Sequence, residues 1–67
     1  MTIPEKIKQL RKEKGLTQTA FGLLFTPPVK KQYICDIEAG KANLSIESIE
    51  KIANVLGVKN YFLIDEK

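Results

Sequence analysis

Apolar residues recur along this chain in short stretches of helical period, and each stretch is bounded by a capping residue or a glycine. Ile3, Ile7 and Leu10 follow at the three- and four-residue steps of one helix face. Thr2-Ile3-Pro4-Glu5 has the Thr-x-x-Glu spacing of a capping box, with proline in the first turn where no amide donor is missed. Gly15 supplies a left-handed residue to end helix 1, and Leu16 folds back onto it. Thr17 caps a second helix running to about Phe25, with Ala20, Phe21 and Leu24 on its apolar side. Thr26-Pro27-Pro28 breaks that helix; a residue followed by proline avoids the helical region, so helix 3 begins no earlier than Pro28. Val29, Tyr33, Ile34 and Ile37 then point inward, Gly40 stops the helix, and Lys31, Gln32, Cys35 and Asp36 occupy the outer face. Ser45 caps helix 4, whose Ile46, Ile49, Ile52, Ala53 and Leu56 form one stripe ending at Gly57. A last short helix over 60–64 carries Tyr61, Phe62, Leu63 and Ile64. With no repeat, linker or low-complexity segment, the pattern predicts an all-α, compact five-helix bundle forming a single domain over residues 1–67.

Composition narrows what such a bundle does. At 67 residues the chain is near the lower size limit for folding without disulfides or metal. Hydrophobic residues make up 43% and charged residues 28%, enough to fill a small core and contrary to disorder. Cys35 is the single cysteine and there is no histidine, which excludes an internal disulfide and leaves no zinc ligand set. Apolar runs do not exceed four residues, too short for a membrane span or a signal-peptide core, so a reducing cytoplasm is expected. The net charge of +3 is unevenly placed: residues 1–43 hold eight Lys/Arg against four Asp/Glu, and residues 44–67 hold three Lys against four Asp/Glu. The basic excess lies in the part containing helices 1 to 3, where a polyanion is the natural partner and a merely solvated lysine face the bland alternative.

The segments Leu16 to Gly22 and Tyr33 to Lys41 fall in helices 2 and 3, two short helices joined by a turn, the unit that reads the DNA major groove. Leu10, Arg11, Gly15, Leu16, Thr17-Gln18, Phe21, Ile34, Ile37-Glu38, Gly40-Lys41, Ser45, Ile52-Ala53 and Leu56-Gly57 together resemble the Cro and phage-repressor (XRE-type) family of helix-turn-helix DNA-binding domains over about residues 3–64. The segment Gly40-Lys41-Ala42-Asn43-Leu44-Ser45 looks most like the small controller proteins of restriction–modification systems. The resemblance implies a lambda-repressor-like fold, with helix 3 in the major groove. Two features depart from the family. The turn between helices 2 and 3 is about two residues longer than usual and holds Pro27-Pro28. Gly22 stands where a small residue, most often alanine, is expected, at a propensity cost of about 1 kcal/mol, and it would permit a closer approach of helix 3.

By the same resemblance, the start of helix 2 meets a phosphate through its free first-turn amides, with Thr17 as cap and Gln18 adding a donor. Lys31, Gln32 and Asp36 match the base-reading positions. Lys31 can donate to guanine O6/N7, Gln32 can pair with adenine N6/N7, and Asp36 can accept from cytosine N4. Asp36 has two other readings: specificity by exclusion, or a salt bridge with Lys31 or Lys41. Lys30, Lys41 and Asn43 are placed for the DNA backbone. Arg11 and Glu38 match a buried ion pair of the family, a structural role that locks helix 1 to helix 3. Cys35 reads as a small, inert side chain rather than a redox switch.

Tyr61, Phe62, Leu63 and Ile64 crowd successive positions, so one helix face cannot bury them all. A symmetric homodimer would cover the remainder and set two recognition helices about 34 Å apart on a pseudo-palindromic site. The expectation is therefore a dimeric, sequence-specific transcriptional regulator that binds double-stranded DNA, with no cofactor, metal, membrane or small-molecule ligand. The competing class is an antitoxin or another module that holds a protein partner, with Leu23 and Leu24 as its contact. Catalysis is not expected, because neither a thiol–base pair, a focused carboxylate pair nor a phosphate-cradling glycine loop is present.

Overall fold

The first turn of the chain forms as a reciprocal cap. In the computed structural model, which describes residues 2–59 and residue 63, the Glu5 amide donates to the Thr2 hydroxyl oxygen at 3.3 Å and the Thr2 amide donates to the Glu5 carboxylate at 3.0 Å. Two of the otherwise orphaned donors of α1 (Ile3–Glu13) are thereby satisfied. The helix ends at Lys14, and Gly15 at φ 72° reverses the chain. Thr17 then accepts from the Ala20 amide at 3.0 Å and starts α2 (Gln18–Leu23). Helix α3 spans Lys31–Glu38 and α4 spans Ile46–Leu56, the latter capped by Ser45 and closed by left-handed Gly57.

Four helices and no strand are present among the described residues. The expected fifth helix lies largely outside them. Leu63 alone is described there; it is helical and fully buried. The core is a single cluster in which Ile7 of α1, Phe21 of α2, Ile34 and Ile37 of α3, and Ile52 and Leu56 of α4 are closed to solvent together with Leu63. Burial of these side chains, at roughly 1.5–3 kcal/mol each, holds together helices too short to persist alone.

Several inward assignments from the apolar period do not hold. Helix α2 stops at Leu23 rather than near Phe25. Phe25 enters the core from beyond the helix end, its ring edge-on to Phe21 at 5.1 Å, while Leu24 is left 53% exposed. Val29 does point inward, packed half-buried against the core, but it does so from before α3 rather than from within it. Tyr33 is 36% exposed, because its position on α3 borders the turn rather than the core. Ile46 is 69% exposed, since it opens α4 next to the cap, beyond the reach of the other helices.

The long turn explains Gly22. The Val29 amide donates to the Gly22 carbonyl at 3.0 Å, and a β-carbon on Gly22 would collide with the Val29 carbonyl oxygen. The close approach is made by the residue leading into α3, across a segment whose Thr26–Pro27 bond is cis.

Two outcomes follow from these local geometries. Gly22→Ala should lower unfolding stability by about 1–3 kcal/mol through overpacking, against the gain in helix propensity; urea denaturation that finds the variant more stable would contradict the Val29 contact. Glu5 has a pKa lowered from its ordinary 4.5 by the Thr2 backbone and side-chain hydrogen bonds. A lowered folded-state value means that the cap stabilises above the ordinary value and that this stability is lost as pH falls through the folded one. The difference in denaturation midpoint between wild type and Glu5→Ala should therefore be full at about pH 6 and shrink progressively as pH falls below the ordinary 4.5.

Candidate nucleic-acid interface

The first helix, the start of the second and the end of the third meet at one buried charge. Glu38, the last residue of α3, accepts from Arg11 Nε at 2.6 Å and Nη2 at 3.1 Å. The remaining nitrogen, Nη1, donates to the Leu16 carbonyl at 2.6 Å, and Gln18 Nε2 donates to Glu38 at 3.2 Å. The two charged side chains are only 9% and 4% exposed. A fork-to-fork guanidinium–carboxylate pair of this kind fixes orientation as well as distance. Among the described residues no buried side-chain nitrogen or oxygen is left without a hydrogen-bond partner, so the network is complete where it is costly to be incomplete.

This anchoring sets the pose of α3, an eight-residue helix whose diameter of about 10–12 Å is one that a major groove admits. Lys31 and Gln32 lie exposed on its outer face and Asp36 is half-buried beside them. The structure brings two of these together: Gln32 Nε2 donates to Asp36 Oδ1 at 2.9 Å. Asp36 thus takes a partner other than Lys31 or Lys41. Its backbone carbonyl accepts from the Lys41 and Ala42 amides at 2.8 and 3.3 Å, which folds the Lys41–Asn43 stretch against the end of α3. Lys30 and Lys31 open the helix, and exposed Lys41 and Asn43 follow its end. Cationic side chains therefore stand at both ends of the exposed face.

The Thr17 hydroxyl is used as a cap, and the Gln18 amide reaches the Arg11–Glu38 pair. The first-turn amides of α2 have no intrahelical acceptors. Cys35 is exposed on α3. Leu63, expected at a dimer surface, is instead fully buried in this chain's own core, in the same apolar cluster as Ile7, Phe21 and Leu56. Tyr61, Phe62 and Ile64 lie outside the described residues.

Two parts of the site were not anticipated from sequence. The Gln32–Asp36 bond had a signal, since a Gln and an Asp four apart share a helix face. The Gln18–Glu38 bond joins residues far apart in the chain and had none. Beside α3, a groove of about 580 Å³ runs between Phe25 and Pro27 of the turn, Lys30 just before α3, Tyr33 of α3, and Ser48 and Lys51 of α4. It adds an α4 lysine to the surface next to Gln32. No group of described residues could hold a metal ion, and no described helix is long and apolar enough to cross a membrane.

A family model described as helix-turn-helix matches residues 7–59. The chain is 38% identical over 61 residues to control protein C.BamHI of Bacillus amyloliquefaciens, covering 91% of this chain and 74% of that protein. It is 33% identical over 67 residues to the immunity repressor protein of Bacillus phage phi105; the match takes in 100% of this chain and 45% of the repressor, so the chain spans less than half of that relative's length. Its fold is similar to that of SinR, a master regulator for biofilm formation, in a crystal structure of SinR with DNA. The TM-score is 0.82 at 37% identity, over 96% of this chain and 100% of that one.

Truncating either ionic partner, as Arg11→Ala or Glu38→Ala, should cost about 3–5 kcal/mol by leaving its mate buried and unpaired. The double variant Arg11→Met/Glu38→Leu should recover most of that loss. Urea denaturation at low temperature measures all of these variants, and a double variant as unstable as the sum of the singles would contradict the ion-pair account.

Proposed function

Because the chain belongs to the helix-turn-helix family, we propose that it is a sequence-specific transcriptional regulator that binds double-stranded DNA with α3 in the major groove. The observation that carries this reading is the exposed face of α3, with Lys31 and Gln32 outward between flanking cations and a buried ion pair beneath its end. Lys31 and Gln32, with Asp36 beside them, face the base edges; Lys30, Lys41, Asn43 and the Thr17–Gln18 end of α2 face the phosphates. The likeness to SinR bound to DNA supports the same use of the surface. Residues 1–67 act as one DNA-binding domain, in the cytoplasm and without catalysis or cofactor. Two copies bind a pseudo-palindromic operator, joined through the apolar C-terminal positions Tyr61, Phe62 and Ile64.

A second reading, a module that grips a protein partner, is favoured by Leu23 and Leu24, which are 64% and 53% exposed on adjacent positions. One titration separates the two. DNA from immediately upstream of the coding region is compared with a scrambled duplex at low and physiological salt. The regulator reading expects binding to the native duplex about 10³-fold or more tighter than to the scrambled one, surviving physiological salt and saturating with two chains per site. Equal binding to both duplexes that disappears with salt would overturn it in favour of a protein partner. Lys30→Ala and Lys41→Ala should each weaken all duplexes alike and reduce the salt slope by about 1.

A further inference from the structure

Gln32 and Asp36 sit one turn apart on the outer face of α3, joined by a 2.9 Å bond from Gln32 Nε2 to Asp36 Oδ1. The direction of that bond is chemically forced. An ionised carboxylate only accepts, so the glutamine must turn its NH2 group toward Asp36 and its carbonyl away. A free glutamine side chain has no such preference. It can present a donor and an acceptor to adenine, whose N6–H donates and whose N7 accepts. Turned the other way, it can present both N–H groups to guanine, whose N7 and O6 both accept.

We propose that Asp36 is a positioning residue that holds one N–H of Gln32 and thereby makes it a reader of adenine that rejects guanine. This rests on the DNA-reading function proposed above and deepens it. With one hydrogen held by Asp36, the second N–H and Oε1 remain on one edge of the amide. That edge complements adenine. It cannot satisfy guanine, because the second donor is engaged and Oε1 would face O6, acceptor against acceptor. The Asp36 carboxylate adds to the bias, since it too is an acceptor beside the acceptor-rich edge of guanine. Asp36 is also fixed at its base: its backbone carbonyl receives the Lys41 and Ala42 amides, and half-burial limits its side chain. The carboxylate serves Gln32 here, rather than cytosine or a neighbouring lysine.

The test starts from duplexes selected by the wild-type chain out of a pool with a randomised core. Gln32→Ala then identifies the base pair that Gln32 reads, as the position where preference relaxes. Binding is measured to the selected duplex, to its A·T→G·C variant at that position, and to one carrying 7-deazaadenine, which lacks N7. Wild type should favour A·T over G·C on the order of tenfold or more and should lose a similar factor on 7-deazaadenine. Asp36→Ala and Asp36→Asn should each shrink the A·T/G·C ratio severalfold, the latter because a neutral amide can donate to Gln32 and let it turn round. Asp36→Glu keeps an acceptor-only partner and should retain the ratio. These are ratios between duplexes, which a purely structural role of Asp36 would not move.

The clamp is overturned if Asp36→Ala and Asp36→Asn keep the full ratio while Gln32→Ala erases it. It is equally overturned if the position that relaxes in Gln32→Ala carries no adenine on either strand, or if Gln32→Ala relaxes no position. A wild-type chain that selects no sequence from the pool is a different failure, because it overturns the DNA-reading function and the clamp together.

Discussion

Everything exposed on the third helix depends on a carboxylate that is not exposed. Glu38 is the last residue of α3, and its two oxygens receive Arg11 from α1 and Gln18 from the start of α2. The same guanidinium also holds the Leu16 carbonyl between those helices. A hydrophobic contact is indifferent to small rotations, whereas a forked pair is not. A chain of this size buries a smaller fraction of its surface than a larger domain does. The ion pair supplies the direction that the core of Ile7, Phe21, Ile34 and Ile37 leaves open. Its desolvation cost means that it contributes little net stability. What it supplies is a reading helix held in one pose.

The turn between α2 and α3 solves the opposite problem, that of fitting extra chain into the motif. Two prolines cannot continue a helix, so the backbone must return to the core beyond them. It does so by laying Val29 directly over Gly22. The glycine is therefore a steric requirement of the longer turn, and its lower helix propensity is accepted for that reason. Phe25 fills the space the shortened α2 leaves, and Leu24 is displaced to the surface.

Much of this was legible in the residues. Caps are local, so Thr2, Thr17, Ser45 and the three left-handed glycines mark the helix ends directly. The apolar period identified most of the core. It failed for Leu24, Tyr33 and Ile46, where burial depends on which neighbour lies opposite, and period does not encode that. The Arg11–Glu38 pairing was visible only through family resemblance, because nothing local links positions so far apart. The outer face of α3 could be drawn from helical spacing, yet the bond from Gln32 to Asp36 and the entry of Gln18 into the ion pair are rotamer choices made by the assembled site. Leu63 shows the limit from the other side: four successive apolar residues announce that some must be buried, without saying which.

The central claim is that the buried pair holds α3 in place. Backbone amide hydrogen exchange of wild type and Glu38→Gln, a variant that keeps the shape of the side chain but removes its charge and turns one acceptor oxygen into a donor, tests it most directly. The account predicts that protection falls first across α3 and at the Leu16 amide, which donates to the Arg11 carbonyl, while the amides of α4 exchange much as before. Uniform loss of protection across all helices, or an α3 as protected as in wild type, would contradict it.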